Sequence, residues 1–118
     1  MGARAFTRVN VATSATVAFG GTVIQGTTEN LSLQGMYLRV PRSVPLHQPI
    51  KVVLFQHQAA PVQISARVVR QDDGGGMGVK INSIDVNSFV NLRNFITRQC
   101  NDFNRIMSET YRMVDCIR

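Results

Sequence analysis

The chain has few of the residues that support covalent or metal-based chemistry. It has only two cysteines in 118 residues. Tryptophan is also absent from the sequence. Cys100 and Cys116 lie in a segment with helical periodicity, where a rise of about 1.5 Å per residue would separate them by roughly 24 Å, too far for a disulfide. The two histidines, His47 and His57, are distant from both cysteines in sequence. We therefore expect neither a disulfide nor a metal site.

Long apolar runs are also absent. No run approaches the roughly 18 apolar residues that a membrane span requires, and the N-terminus has no signal-peptide-like apolar segment. We expect a cytoplasmic protein with no membrane span. With 118 residues, 44% of them hydrophobic, the chain is long enough for one folded domain with a real core.

Acidic residues are scarce, since 7 of them face 13 basic residues and leave a formal charge of +6. Such a charge favours an anionic partner, which can be a nucleic acid, a nucleotide, phospholipid head groups or an acidic protein. Eleven of the 13 basic residues are arginines. The planar guanidinium suits bidentate recognition of phosphate or guanine, but charge alone does not choose among these partners.

Short segments with a period of two, separated by glycines and prolines, predict β-strands. Six such segments favour an antiparallel β-barrel, and they cover residues 9–19, 22–25, 35–40, 49–55, 61–70 and 78–81. After Ile84 the apolar period lengthens to three or four, which predicts one long C-terminal helix over residues 85–118 with Asp85 as its N-cap. A small barrel would cover only the first half of this helix. The second half is then free to meet a partner helix, for example in a homodimer.

Two short motifs carry the functional information. Arg4-Ala-Phe-Thr-Arg8 places two arginines four residues apart just before the first predicted strand. Asn30-Leu-Ser-Leu-Gln-Gly35 lies between the second and third strands. Each motif alone is weak, because termini are often loose and because Asn, Ser and Gly are ordinary turn residues. Their joint occurrence at strand edges is far less expected by chance.

The two motifs in this order resemble the signature of PilZ domains, bacterial receptors for the second messenger cyclic diguanylate. The resemblance covers nearly the whole chain, including the segment 76–81 and the closing helix. It implies a single PilZ-like domain over residues 1–118. Residues 1–8 would form a flexible ligand-binding arm, 9–84 a six-stranded barrel, and 85–118 the C-terminal helix.

The resemblance also assigns roles that fit the chemistry of the ligand. Arg4 and Arg8 would grip guanine O6 and N7 and the phosphates, and Asn30 would bond the edge of the other guanine. Ser32 would supply a hydroxyl. Gly35 would allow a close approach of the backbone or adopt a positive φ. Arginine directly before the pair favours a stacked ligand dimer in this family, and since Ala3 stands there, we expect one ligand molecule.

Arg70 is a further candidate with two interpretations. It shares parity with the apolar positions of its strand, so it can end an inward row at the barrel mouth and stack on a base. A surface salt bridge to Asp72 or Asp73 is an equal alternative.

The leading hypothesis is therefore a second-messenger receptor that needs no cofactor, binds cyclic diguanylate and relays occupancy to an effector protein. The main alternative is a PilZ-like adaptor that binds proteins without nucleotide. A single-strand nucleic-acid binder is disfavoured because few aromatic platforms are available on the strands. An enzyme is disfavoured because the sequence has no acid/base pair or nucleophile motif.

Overall fold

The structure is a computed structural model that describes residues 5–57 and 59–118. Its six strands are β1 (Ser14–Phe19), β2 (Thr22–Leu31), β3 (Gly35–Arg39), β4 (Pro49–Phe55), β5 (Val62–Asp72) and β6 (Gly76–Ile84). They form a closed barrel in the order β1-β2-β3-β6-β5-β4, and every neighbouring pair is antiparallel. The predicted six-stranded antiparallel barrel is confirmed.

The barrel core follows from the alternation in the sequence, because every second side chain of a strand points inward. In β5 the inward row is Val62, Ile64, Ala66 and Val68, all buried. The segment before β1 is not a continuous strand. Val9 makes only an isolated bridge to Leu31, so β1 begins at Ser14 rather than at Val9.

Strand β2 is longer than the predicted segment 22–25, and a bulge between Thr28 and Asn30 interrupts its period of two. Thr28 and Leu31 both point into the barrel, although three positions separate them. Asn30 consequently faces outward at the end of β2 and is not in a loop.

The prediction of one long C-terminal helix is wrong. The structure has helices α1 (Val86–Cys100) and α2 (Phe103–Thr110), followed by a 3₁₀-helix (Tyr111–Cys116). Asn101 adopts left-handed backbone angles, φ 56 and ψ 34, which end α1, and the Asp102 side chain caps α2 by accepting from the Arg105 N–H. Asp85 caps α1 as predicted, because its carboxylate accepts from the Ser88 N–H at 2.8 Å.

The predicted apolar stripe of the C-terminal segment is only partly buried. Phe89, Leu92 and Ile96 of α1 pack in the core, and so do Ile106 and Met113 farther along. Phe103, Tyr111 and Val114 also follow the period of three or four in this segment, yet they are exposed. Their exposure follows from the break at residue 101, which changes the phase of the second half.

Among the described residues, no helix is long and apolar enough to cross a membrane. Within the same part of the chain, no cluster of three His, Cys, Asp or Glu side chains could hold a metal ion.

Candidate ligand-binding site

The turn between β2 and β3 is held together by Ser32. Its side chain is fully buried, and Oγ accepts hydrogen bonds from the backbone N–H groups of Gln34 at 3.2 Å and Gly35 at 3.1 Å. Oγ also donates to the Gly35 carbonyl at 3.1 Å. The hydroxyl predicted to meet a ligand is thus engaged within the turn, where it fixes the shape of the backbone that follows Asn30.

Gly35 is required by the packing of β3 against β6. A Cβ atom at this position would lie 2.1 Å from the carbonyl oxygen of Val79, well inside van der Waals contact. Its φ is not among the positive values found at other glycines. Of the two reasons expected for a glycine here, the close approach is the one observed, and it is an approach to β6.

Arg8 and Asn30 meet directly. Arg8 Nη1 donates to Asn30 Oδ1 at 2.7 Å, which joins the two sequence motifs across 22 residues. The backbone brings them together, because Val9 and Leu31 exchange N–H···O bonds of 2.9 and 3.0 Å. This antiparallel bridge holds the segment before β1 against the end of β2, and the Arg8 and Asn30 side chains bond diagonally across it.

Arg8 lines two surface cavities. The larger, of about 300 Å³, is on the outer face of the barrel and is lined by Arg8, Asn30, Met36, Tyr37, Val69, Arg70, Gly78 and Val79. The smaller, of about 110 Å³, is lined by Arg8, Gln34, Gly35, Val69, Val79 and Lys80. The larger cavity is at the lower end of the usual size of ligand pockets. Because Arg8 lines both cavities, together with Val69 and Val79, it can serve a ligand that spans both.

Arg70 lies on the outer surface and does not end the inward row of β5. A register shift between Val68 and Arg70 reverses the alternation, so that Val68 is buried and the Arg70 side chain is 69% exposed. Its Nε donates to Asp72 Oδ1 at 3.0 Å, which is the salt bridge offered as the alternative. This outward orientation places Arg70 in the same cavity as Arg8.

Tyr37 and Asp72 hold Arg70 in place. The Tyr37 hydroxyl donates to Asp72 Oδ2, and the Arg70 guanidinium lies 5.8 Å from the centre of the Tyr37 ring. The hydrogen bonds from Tyr37 and then from Arg70 hold the pKa of the Asp72 carboxyl below its ordinary value. The same bond to Asp72 raises the pKa of the Tyr37 hydroxyl, so this phenol stays protonated near neutral pH.

The structure brings together three of the six predicted site residues, namely Arg8, Asn30 and Arg70. Ser32 and Gly35 shape the turn beside them, and Arg4 lies outside the described residues. Gln34, Tyr37, Val69 and Lys80 also line the two cavities, although neither sequence motif predicted a role for them. Tyr37 carried a usable signal, because its parity in β3 is opposite to that of the buried Met36 and Leu38.

The charges around the two cavities favour an anion. Arg8, Arg70 and Lys80 line them, no carboxylate among the described residues does, and the Asp72 carboxylate beside Arg70 is bonded to Arg70 and Tyr37. The tyrosine ring and the guanidinium planes can also stack on a flat heterocycle. The arrangement can therefore bind an anionic ligand with an aromatic base.

A closed six-stranded barrel with a basic, partly aromatic surface cavity defines a small β-barrel binding domain. The family model of the PilZ domain matches residues 3–98, and the chain belongs to the PilZ domain family. This confirms the family resemblance found in the two motifs. PilZ domains are generally cyclic diguanylate receptors that interact with effector proteins and are not typically catalytic.

Solved structures share the fold, and two of them illustrate the similarity. The PilZ domain of CeSA from a cellulose-synthesizing bacterium has a TM-score of 0.61 and 17% identity, and the alignment covers 80% of this chain and 96% of that domain. The Bacillus subtilis inhibitor of motility MotI/DgrA has a TM-score of 0.69 and 15% identity, with 86% of this chain and 54% of MotI covered. The chain thus spans about half the length of MotI. No curated protein matches the sequence.

Proposed function

We propose that this chain is a receptor for cyclic diguanylate that passes ligand occupancy to an effector protein. The observation that carries the proposal is the contact between Arg8 and Asn30 at 2.7 Å, in the lining of a cavity that Arg70 also lines. Both side chains are presented at the surface by fixed backbone. Cyclic diguanylate carries two phosphates and two guanines, and the cavity offers it positive charge, the N–H donors of Arg8 and Arg70, and the Asn30 amide.

Each group has a chemical task in this proposal. The Arg8 guanidinium can donate two parallel hydrogen bonds to guanine O6 and N7 or to a phosphate. Asn30 can accept from guanine N–H groups through Oδ1 once Arg8 turns to the ligand, and Tyr37 and Arg70 offer flat surfaces for a base. Arg4, outside the described residues, would supply the second guanidinium of the arm.

The test is calorimetric titration with cyclic diguanylate. Because a charge-assisted hydrogen bond contributes roughly 1.5–3 kcal/mol, Arg8→Ala should weaken binding by about 10- to 100-fold. Asn30→Ala should weaken it as well, and the Arg4→Ala, Arg8→Ala double variant should abolish it. Arg67→Ala is the matched control, since it removes the same charge from an exposed position on β5 that lines neither cavity.

The titration also gives the stoichiometry, and one molecule per chain is expected because Ala3 precedes the arginine pair. No binding by the intact protein would exclude the receptor function.

One observation favours a second function, a protein adaptor that works without nucleotide. Arg8 donates to Asn30 Oδ1, so this pair already has a hydrogen bond that a ligand would have to replace. The MotI neighbour is named an inhibitor of motility, which is a regulatory role. Capture of the same effector by the intact protein and by the Arg4→Ala, Arg8→Ala variant, with and without cyclic diguanylate, separates the two functions. Only the adaptor would bind it regardless of nucleotide.

A further inference from the structure

The segment that carries Arg8 is attached to the far end of the chain. The Thr7 backbone N–H donates to Glu109 Oε1 at 3.0 Å, and the Thr7 hydroxyl donates to Glu109 Oε2 at 2.6 Å. These two bonds cross 102 residues and join the segment before β1 to helix α2. One carboxylate thus receives both donors of a single threonine.

Glu109 is unusual because it is a charged residue with only 5% of its surface exposed. A buried carboxylate is costly unless hydrogen bonds and an opposite charge compensate it. Thr7 supplies the two hydrogen bonds, and Arg105 supplies the charge at 3.7 Å, one helical turn earlier in α2. The burial of Glu109 therefore depends on the presence of Thr7.

Phe6 strengthens the same attachment. Its side chain is 7% exposed and belongs to the core, and the Arg112 guanidinium lies 4.0 Å from the centre of its ring. The expectation of a loose arm over residues 1–8 therefore does not extend to Phe6 and Thr7. We call residues 6–9 the strap, since residues 6 and 7 contact the C-terminal helices while residues 8 and 9 contact the end of β2.

We propose that Glu109 is a positioning residue for the cyclic diguanylate site and that the strap couples this site to helix α2. This inference rests on the proposed receptor function. Fixing Thr7 restrains the backbone of Arg8, so less conformational entropy is lost when Arg8 binds the ligand. Because coupling between two equilibria is reciprocal, a ligand held by Arg8 also tightens the attachment of Thr7 to Glu109 and stabilises α2.

The coupling is tested with substitutions at both ends of the Thr7–Glu109 contact. Glu109→Gln keeps the size of the side chain but its amide oxygen is the sole acceptor left for two donors, so the Kd for cyclic diguanylate should rise about tenfold. Thr7→Val, which removes only the hydroxyl, should raise the Kd less. Thr7→Ser retains both donors and should bind like the unmodified protein.

Thr110→Val is the control for a merely structural effect. Thr110 Oγ1 donates to the Ile106 carbonyl within α2, so this substitution also removes a hydroxyl hydrogen bond from the helix region without touching the strap. It should leave the Kd unchanged.

Hydrogen exchange supplies the second readout. In the unmodified protein, addition of cyclic diguanylate should slow exchange of the amides of residues 103–110, although they lie outside the cavity. In Glu109→Gln this response should be lost even at saturating ligand.

The possible results are distinct. One result is that the protein binds cyclic diguanylate, the ligand does not slow amide exchange in α2, and Glu109→Gln and Thr7→Val bind it normally. The coupling is then overturned and the receptor function stands. If the intact protein binds no cyclic diguanylate, the receptor function fails and the positioning role fails with it.

Discussion

Ser32 and Gly35 hold the turn that presents Asn30. The Ser32 hydroxyl is bonded to backbone groups of residues 34 and 35, and Gly35 allows β3 to lie against the Val79 carbonyl. The motif therefore contains residues of two kinds. Asn30 faces the cavity, whereas Ser32 and Gly35 are needed for the backbone geometry that puts it there.

Gly35→Ala should destabilise the protein by about 1–3 kcal/mol, the usual cost of forcing extra volume into a packed region. The added Cβ would lie 2.1 Å from backbone oxygen, which cannot move without disturbing the β3–β6 pairing. Urea unfolding measures the effect. Gly78→Ala is the comparison, because its Cβ would be 3.3 Å from Arg70 Cβ and should cost less. Equal stability of Gly35→Ala and the unmodified protein would contradict this explanation.

The cluster of Asp72, Tyr37 and Arg70 should make stability depend on pH. The pKa of Asp72 is lowered in the folded protein, first by the Tyr37 hydroxyl and then by Arg70. Because this pKa is lowered, the ionised Asp72 carboxylate stabilises the fold fully at pH values above the ordinary carboxyl pKa of 3.8. This stabilisation is lost as pH falls through the lower pKa of the folded protein. Asp72→Asn should therefore lower the melting temperature at neutral pH, and the difference should shrink in strong acid.

Thermal unfolding over a pH series checks this. Asp73→Asn makes the same change of charge one residue away and serves as the control. A difference between Asp72→Asn and the unmodified protein that is the same at every pH would rule out the ionised carboxylate as its cause.

At the scale of elements, the break between α1 and α2 decides how the C-terminal segment packs. Asn101 has φ 56, a region that amino acids other than glycine and asparagine rarely adopt. Its backbone N–H bonds to the Thr97 carbonyl at 2.8 Å, and Asp102 then starts α2. The break redirects the chain so that Ile106 and Glu109 are buried while Phe103 stays outside. The predicted homodimer through this segment stays a prediction.

Asn101→Ala should cost about 1–2 kcal/mol, because alanine pays the full penalty of the left-handed conformation. Asn101→Gly should be neutral or stabilising, since glycine adopts this region readily. Chemical unfolding of the two variants side by side is the measurement. If alanine were tolerated as well as glycine, the left-handed cap would not be what ends α1.

At the scale of the whole molecule, the domain extends beyond the residues that the PilZ model matches. The match ends at residue 98, yet Ile106 and Met113 belong to the hydrophobic core, and Glu109 anchors the strap. The backbone also returns to the barrel, since the Arg118 N–H donates to the Ile84 carbonyl at 2.9 Å. Helix α2 and the 3₁₀-helix are therefore part of the folded unit.

Ile106→Ala should destabilise the protein by about 2–5 kcal/mol, the usual cost of a large cavity in a core. Phe103→Ala, three residues earlier, should change stability by less than about 0.5 kcal/mol, because that side chain is 58% exposed. Denaturant titrations provide both values. A small effect of Ile106→Ala would show that α2 is not integrated with the barrel.

Local patterns in the sequence determined the barrel, because a period of two and turn residues act over a few neighbouring positions. The two motifs are local patterns of the same kind. They predicted six strands, the cap at Asp85, and the family to which the chain belongs. They also placed Arg8 and Asn30 in one site, through the resemblance to PilZ domains.

Only the tertiary structure decided the rest. Bulges in β2 and β5 change which face a side chain occupies, and so Arg70 moved from an expected inward position to the outer cavity. The helix break at Asn101 depends on a single residue whose conformation the apolar pattern does not report. The contact of Thr7 with Glu109 joins residues 102 positions apart, and periodicity carries no information over that distance because such contacts arise only when the whole chain has packed.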